Sequence, residues 1–389
     1  MIDLFSGCGG FSTGMLDAGL AVKAGFDFDA PCIEVYNYNH TYRGAKGYKV
    51  DLAGATGDSL LELAGLKSVD VVVGGPPCQA FSIVGARGGL EDSRGALIFD
   101  YVRLVGELRP KAFILENVPN LRTFEGGAVY ERLVQDLADL GYDVAGSILA
   151  AADYGVAQMR KRLFIVGLRG RRVSGFPPAP THGKVEGSQL ALGLAPYRTT
   201  EAVLRDLPDV DAPEAEHIPN HEPTMHTEPM LRLFADLQPG QRCRASFHDR
   251  LHPDRLAYTL RAGSGNFSPL RPIHYRHDRV ISVRESARIQ GFDDAFIWPD
   301  SIPRLQQYRQ VGNAVCPPMA HALGLMLCEQ MGWRADPKAF AGDPKSRPPP
   351  CERTLAERLA IRQKYMHGAS QGWDKLGRKQ AVSAKARST

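Results

Sequence analysis

A doubly wound, mainly parallel α/β sheet joined to a second, smaller and irregular domain is the fold this sequence predicts. Three observations predict it. Short apolar runs alternate with helical patterns through Leu168, the first run ends in a glycine-rich turn, and the alternation stops from Gly170 to about Pro272 before it resumes. Strands alternating with helices of this kind imply βαβ units and a parallel sheet.

The elements follow in order. "IDLF" reads as a strand, and "FSTGMLDAGL" as the helix after the glycine turn. "AVKAGF" and "APCIEVYNYN" repeat that pair, and Asp51 in "KVDLAG" follows a third strand. "DVVVGG" is a β-branched run bounded by Gly-Pro, which marks a buried fourth strand. "ALIFDYVRLVGEL" sets Leu97, Tyr101, Leu104 and Leu108 at helical spacing, and "KAFILE", "VYERLVQDLADL" and "RLFIVGL" give strand, helix and strand. The next region is rich in Pro, His and Arg, as in "GFPPAPTHG" and "PNHEPTMHTEP". Patterning returns at "VISVRESARIQGF", "YRQVGNAV" and the apolar helix "MAHALGLMLCEQMG". The expected organisation is a sheet domain over 1–172, an inserted domain over 173–272, a return to the sheet domain over 273–335, and a linker with a basic tail over 336–389.

Bulk composition narrows the function classes. The 389 residues are 43% hydrophobic and 23% charged, ordinary for a globular protein. With no run of ~18 apolar residues and no basic segment ahead of "IDLFSGCGG", the expected compartment is the cytoplasm. Seven cysteines without a CxxC pair argue against a disulfide framework and a thiolate zinc site. Net charge is +4, but Arg347–Thr389 carries ten Lys/Arg against three Asp/Glu, so the other 346 residues sum to −3. The tail is either a solvated end or a phosphate-binding arm.

Five segments carry chemistry. "DLFSGCGGFSTG" lets a cofactor approach the backbone, although a plain strand–turn–helix fits equally, and its spacing is not the dinucleotide GxGxxG. Phe5 beside it suits an adenine ring or the core. Asp27 and Asp51 follow strands two and three, read either as ordinary exposed loop carboxylates or as partners for ribose hydroxyls and an adenine amine. In "GGPPCQAFS", Pro76 and Pro77 fix the backbone ahead of Cys78, read either as a buried thiol or as a nucleophile. Glu116 ends the apolar strand in "ILENV", where desolvation favours its protonated, donating form. Arg160 and Arg162 alternate in "QMRKRLFIV", so both are expected on one face, read either as a solvated strand entry or as a fork onto carbonyl or phosphate oxygens.

Taken together and in this order, "DLFSGCGG", "GGPPCQAFS", "ENV", "QxRxR" (Gln158, Arg160, Arg162), "RESARIQGF" and "QVGNAV" resemble the DNA cytosine methyltransferases that methylate carbon 5. The match covers roughly residues 2–168 and 280–330. The resemblance implies a sheet domain that binds S-adenosylmethionine, with a double-stranded DNA base flipped into the cleft beside a target-recognition domain near 170–272. It implies Cys78 as nucleophile, Glu116 as its acid partner, and Arg160 and Arg162 holding the base and nearby backbone. Phe5, Ser6, Gly7, Cys8, Gly10, Asp27, Phe28, Asp51, Leu52, Pro77 and Leu97 would line the cofactor, and Asn313, Ala314 and Val315 would close its methionine end. Gln79 is expected in the space left by the flipped base, Ser82 and Arg87 on a loop that closes on DNA, and Thr259, Arg261 and Gly263 near a groove.

Three departures stand out. Asp27 occupies a place where the family often has Glu, which shortens its reach by one methylene. Cys316 follows "GNAV" where proline is common, so a looser backbone is expected there. The chain starts almost at the first motif, which leaves strand one short. The chemistry expected is covalent: a thiolate on carbon 6 makes carbon 5 nucleophilic, with a donor at ring nitrogen 3. The same chemistry on tRNA is the alternative, and a non-catalytic DNA-binding relative is another. A compact bacterial or phage enzyme is implied, acting as a monomer, nucleoid-associated, in a restriction–modification system with a cognate endonuclease.

Overall fold

Every residue of Val71–Gly74 is buried, as a central strand covered on both faces requires. The computed structural model describes residues 1–77, 93–184, 193–244, 246–262 and 272–347, without the side chains of 93–96. In chain order the first half supplies β1 (Ile2–Leu4), α1 (Gly10–Asp17), β2 (Ala24–Asp27), α2 (Ala30–His40), β3 (Lys46–Lys49) and α3 (Gly57–Ala64). It continues with β4 (Val71–Gly74), α4 (Ser93–Leu108), β5 (Ala112–Asn117), α5 (Ala128–Asp139), β6 (Tyr142–Ala150) and β7 (Lys161–Arg169).

The seven strands form one sheet in the order β3-β2-β1-β4-β5-β7-β6. Neighbours from β3 to β5 are parallel, whereas β7 runs antiparallel to both β5 and β6. The chain winds outward from β1 to β3 and then crosses back to lay β4 on the other side of β1. That reversal opens a crevice at the carboxyl ends of β1 and β4, where ligands of such sheets bind. The ends of β1, β2, β4 and β5 therefore bring Phe5, Asp27, Gly75 and Glu116 to one edge of the sheet.

Strand alternation builds the two apolar layers. Val72, Phe113, Leu115, Leu163 and Ile165 pack with Leu60, Tyr101, Leu104 and Leu133 on one face. Val71, Val73, Ile114, Phe164 and Val166 pack with Phe11, Met15, Met319 and Leu323 on the other. The far end of the sequence adds α8 (Val283–Gln290), α9 (Arg304–Asn313) and α10 (Pro317–Met331), and the second layer needs α10. Helix α10 lies against α1 so closely that a Cβ on Gly14 would stand 2.3 Å from the Pro317 carbonyl oxygen. Although 304–331 includes a window apolar enough for a membrane helix, 72% of it is buried. The stretch is two helices broken at Ala314–Cys316.

Local signals set the helix ends. Ser282 and Glu285 form a capping box at the start of α8, and Gly291 closes it in the left-handed region at φ 91°. Cys316 has φ −64° as the N-cap of α10, the angle a proline would impose. The looser backbone expected there is therefore not found. In the intervening region β8 (His182–Gly183) pairs with β9 (Ala195–Pro196), and the helices are the short α6 (Thr200–Leu204) and α7 (Glu228–Ala235). Trp298, Phe292, Phe296 and Tyr308 form a separate cluster that joins this region to α8 and α9.

Candidate active site

Glu116 and Arg162 meet at the carboxyl end of β5. Strand register sets Glu116 opposite Phe164 and Asn117 opposite Leu163 on β7. Arg162 Nε lies 2.9 Å from Glu116 Oε1, with the two side chains 16% and 10% exposed. Burial raises the Glu116 pKa, against the opposing charges of Arg162 and Arg160 and the Arg162 hydrogen bond. Gly75 leaves room for this carboxyl: a Cβ there would come within 3.1 Å of Glu116 Oε2. Asn117 braces the same segment, its Nδ2 donating to the Pro76 carbonyl at 3.2 Å. The run ahead of Cys78 is thus held against the strand that carries Glu116. Cys78, Gln79, Ser82 and Arg87 lie outside the described residues, as does Gly263.

The two arginines do not share a task. Arg160 is fully buried, and its guanidinium donates to three backbone carbonyls: Gly312 at 2.9 Å, Ala314 at 3.1 Å and Leu260 at 3.4 Å. Gln158 accepts from Leu260 N at 3.0 Å and donates to Gln290 Oε1 at 2.8 Å. Gln290 in turn donates to the Ala314 carbonyl at 2.7 Å. The resemblance gave the two arginines the base and nearby backbone; in the structure Arg160 is turned to backbone carbonyls and Arg162 stands beside Glu116. The alternation argument missed this because it fixes the face of a strand residue, not what fills that face. Gln290 and Asn117 were within the quoted motifs, but nothing in their spacing gave them partners.

Thr259 and Arg261 sit on the segment that Gln158 and Arg160 hold. Thr259 Oγ1 donates to the Met159 carbonyl at 2.9 Å, which leaves its oxygen lone pairs free to accept. The exposed Arg261 has its backbone against Gly312, where a Cβ would meet the Arg261 carbonyl oxygen at 2.8 Å.

The glycine-rich turn is tied to β2. Gly7 N donates to Asp27 Oδ2 at 2.8 Å, and Asp29 N donates to Oδ1 at 2.9 Å. Burial raises the Asp27 pKa in spite of these donors. Phe5 and Gly7 take positive φ values of 55° and 53°, backbone that glycine adopts readily and phenylalanine does not. Ser6 Oγ is buried with no partner among the described residues. Cys8 donates weakly to the Gln310 carbonyl at 3.8 Å, and burial pushes its thiol up to about 12. Gly10 abuts the last motif, since a Cβ there would stand 2.3 Å from the Val315 carbonyl oxygen. Phe28 is 65% exposed beside Asp27, Leu52 is buried, and Asp51 Oδ1 accepts from Ala53 N at 3.1 Å. Leu97 is half-buried on α4, Asn313 is exposed, and Pro77 is the last residue described before Cys78.

A family model for C-5 cytosine-specific DNA methylases matches residues 1–328. The chain belongs to that family. As a DNA cytosine-5 methyltransferase it is 34% identical over 363 residues to the Type II methyltransferase M.XorII of Xanthomonas oryzae pv. oryzae, with 83% of each chain covered. It is 32% identical over 336 residues to the Type II methyltransferase M1.HphI of Haemophilus parahaemolyticus, covering 83% of this chain and 84% of that one. Among solved structures it resembles a candidate DNA modification methyltransferase encoded within an E. coli prophage. That likeness has a TM-score of 0.69 at 25% identity and covers 85% of this chain and 99% of the other. The Schizosaccharomyces pombe Dnmt2 methyltransferase shares the fold at a TM-score of 0.61 and 16% identity, covering 85% and 99%.

Proposed function

We propose that this methyltransferase acts on a flipped-out cytosine of a specific duplex DNA sequence through a covalent Cys78 adduct, with S-adenosylmethionine as methyl donor. The observation that carries the reading is the Glu116–Arg162 pair at the edge to which the Cys78 segment is tied. Attack of the Cys78 thiolate on carbon 6 opens the 5,6 double bond and makes carbon 5 enamine-like. The negative charge reaching the ring is met by a proton from Glu116 at nitrogen 3, which the raised pKa keeps available. After methylation, a base such as water takes the proton from carbon 5, the thiolate departs, and nitrogen 3 returns its proton to Glu116, which restores the ring. A base cannot be attacked this way inside a stacked duplex, so it is extruded first. Arg162 keeps Glu116 oriented and offers its remaining N–H groups to the base, whereas Arg160 fixes the walls.

The residues at the sheet edge fit the cofactor. Ser6 Oγ has an unmet hydrogen-bonding capacity, nothing stands within 4 Å of a would-be Gly7 Cβ, and Phe28 presents an exposed ring. Asp27 retains lone pairs for ribose hydroxyls. Bound S-adenosylmethionine supplies an electrophilic methyl group on a sulfonium. Residues 173–272 act as the target-recognition domain, and the enzyme works as a monomer in the cytoplasm, at the nucleoid, beside an endonuclease for the same site.

Duplex DNA carrying 5-fluorocytosine tests this, because the fluorine cannot leave as a proton does. Bisulfite sequencing of host DNA first gives the target site. Wild-type protein with S-adenosylmethionine should then form a denaturant-stable adduct with the fluorinated duplex, and Cys78→Ala should form none. Methyl transfer to tRNA alone, or an adduct that survives Cys78→Ala, would overturn the reading.

A further inference from the structure

Away from Glu116, a cavity of about 610 Å³ opens between Lys184, 196–199, Gly240 and 251–258, with Met159 in its lining. Lys184, Arg198 and Arg255 line it with a single carboxylate, Asp254. All three cations are exposed, and none makes an ion pair among the described residues. Arg250, Arg276, Arg279, Arg284 and Arg288 of the same region each reach a carboxylate. The chain ahead of its basic tail is also net negative. Among the described residues these cations have no ion-pair partner, and their shared field at one opening favours an anion.

The neighbours of the cavity favour an extended anion over a small one. Met159 lies between Gln158 and Arg160, on the short segment that also carries Arg162. It is 50% exposed, and Tyr258 beside it is 40% exposed. Tyr258 adjoins Thr259, whose hydroxyl is tied to Met159. Within an extended segment, 159 and 161 face away from 158, 160 and 162. The cavity is thus separate from the Glu116–Arg162 pair, with its lining residue Met159 three residues ahead of Arg162 in the chain. A polymer held at one reaches the other, and a free nucleotide does not.

We propose that this cavity grips backbone phosphates of the duplex that flank the target cytosine, through Arg198 and Arg255 with Lys184 at the rim. The inference rests on duplex DNA being the substrate. Phosphate contacts fix the register of a protein on DNA without reading sequence, and each released counterion steepens the salt dependence.

The test uses the full-length protein and a duplex carrying the site mapped by bisulfite sequencing. Affinity is measured over a series of salt concentrations for wild type, for the Arg198→Gln/Arg255→Gln double variant and for the corresponding double lysine variant. The glutamine variant should lower the slope of log affinity on log salt by about two and weaken binding roughly tenfold. Its cofactor affinity, thermal midpoint and kcat at saturating DNA should match wild type. The lysine variant should restore the slope, since a phosphate accepts either cation. An unchanged slope and DNA KM in a well-folded glutamine variant would overturn the proposal. So would failure of the lysine variant to rescue, or displacement of free deoxycytidine monophosphate from the cavity without effect on the DNA slope. A wild-type protein that neither binds nor methylates the duplex would instead remove the functional reading itself.

Discussion

Arg162 Nε stands 2.9 Å from Glu116 Oε1, and both side chains are nearly out of solvent. The pair holds a carboxyl whose pKa burial has raised, so its donating form persists to higher pH than that of an ordinary glutamate. Glu116→Gln cannot give up a proton in this way. Its kcat should fall by roughly 10²- to 10⁴-fold, with cofactor affinity retained. Steady-state kinetics check this, and a loss under tenfold would remove Glu116 from the chemistry.

Arg162→Ala removes an influence that lowers the Glu116 pKa. The high-pH limb of kcat should accordingly move to higher pH, on a smaller maximum. A shift to lower pH would mean that a different group sets the limb.

Arg160 makes a separable prediction. Its donors join the Leu260 carbonyl to those of Gly312 and Ala314, so it couples the segment bearing Thr259 to the closing motif of the cofactor edge. Arg160→Ala removes the donor from the Leu260 and Gly312 carbonyls, at about 1–3 kcal/mol for each left unpaired, while the Ala314 carbonyl keeps Gln290. KM for cofactor and for DNA should rise together, with Arg160→Lys recovering part of both. If kcat alone fell, Arg160 would instead act on the base.

Much of this arrangement was legible because the central strands are buried on both faces and leave plain apolar runs. Val71–Val73 and Ala112–Leu115 are such runs, and the acidic residue ending the second is the one found at the site. β6 was not named because residues 143–148 are half-buried or exposed at the edge of the sheet, which gives no clean period. α3 is only eight residues long and carries its one clear signal at its start, where Thr56 and Ser59 form a capping box. The partners of Arg160 were out of reach for another reason. They are backbone carbonyls about 100 or more residues away, and no residue type marks a carbonyl.

Two glycines separate cofactor closure from stability. A Cβ on Gly10 would stand 2.3 Å from the Val315 carbonyl oxygen, and one on Gly14 would stand 2.3 Å from that of Pro317. Neither backbone can yield cheaply, so each alanine variant should lose about 1–3 kcal/mol. Only Gly10→Ala disturbs the motif proposed to close the methionine end, so it alone should also weaken cofactor binding. Calorimetry on both variants decides; equal cofactor affinity would uncouple Gly10 from the cofactor.

Two buried carboxyls set opposite pH limits on stability. Asp3 accepts from Ser12 Oγ at 2.7 Å, its Oδ1 has no partner among the described residues, and burial raises its pKa to about 7. A raised folded pKa means that its contribution is whole below the unfolded value and is lost as pH climbs through about 7. The loss is on the order of 4 kcal/mol at most. Burial would also raise Glu285, but the paired hydrogen bonds and charge of Arg279 bring it down to about 2. Its contribution is present above the ordinary glutamate value and is lost as pH falls through about 2. For these two groups the stability maximum therefore lies near pH 4–5. Urea unfolding from pH 3 to 8 should show a decline above pH 5 that Asp3→Asn flattens. It should also show an acid limb that Glu285→Gln flattens, while that variant is less stable because Arg279 gives up one carboxylate and keeps Asp209. A wild-type curve level from pH 4 to 7, or an Asp3→Asn variant that keeps the decline, would place the titration elsewhere.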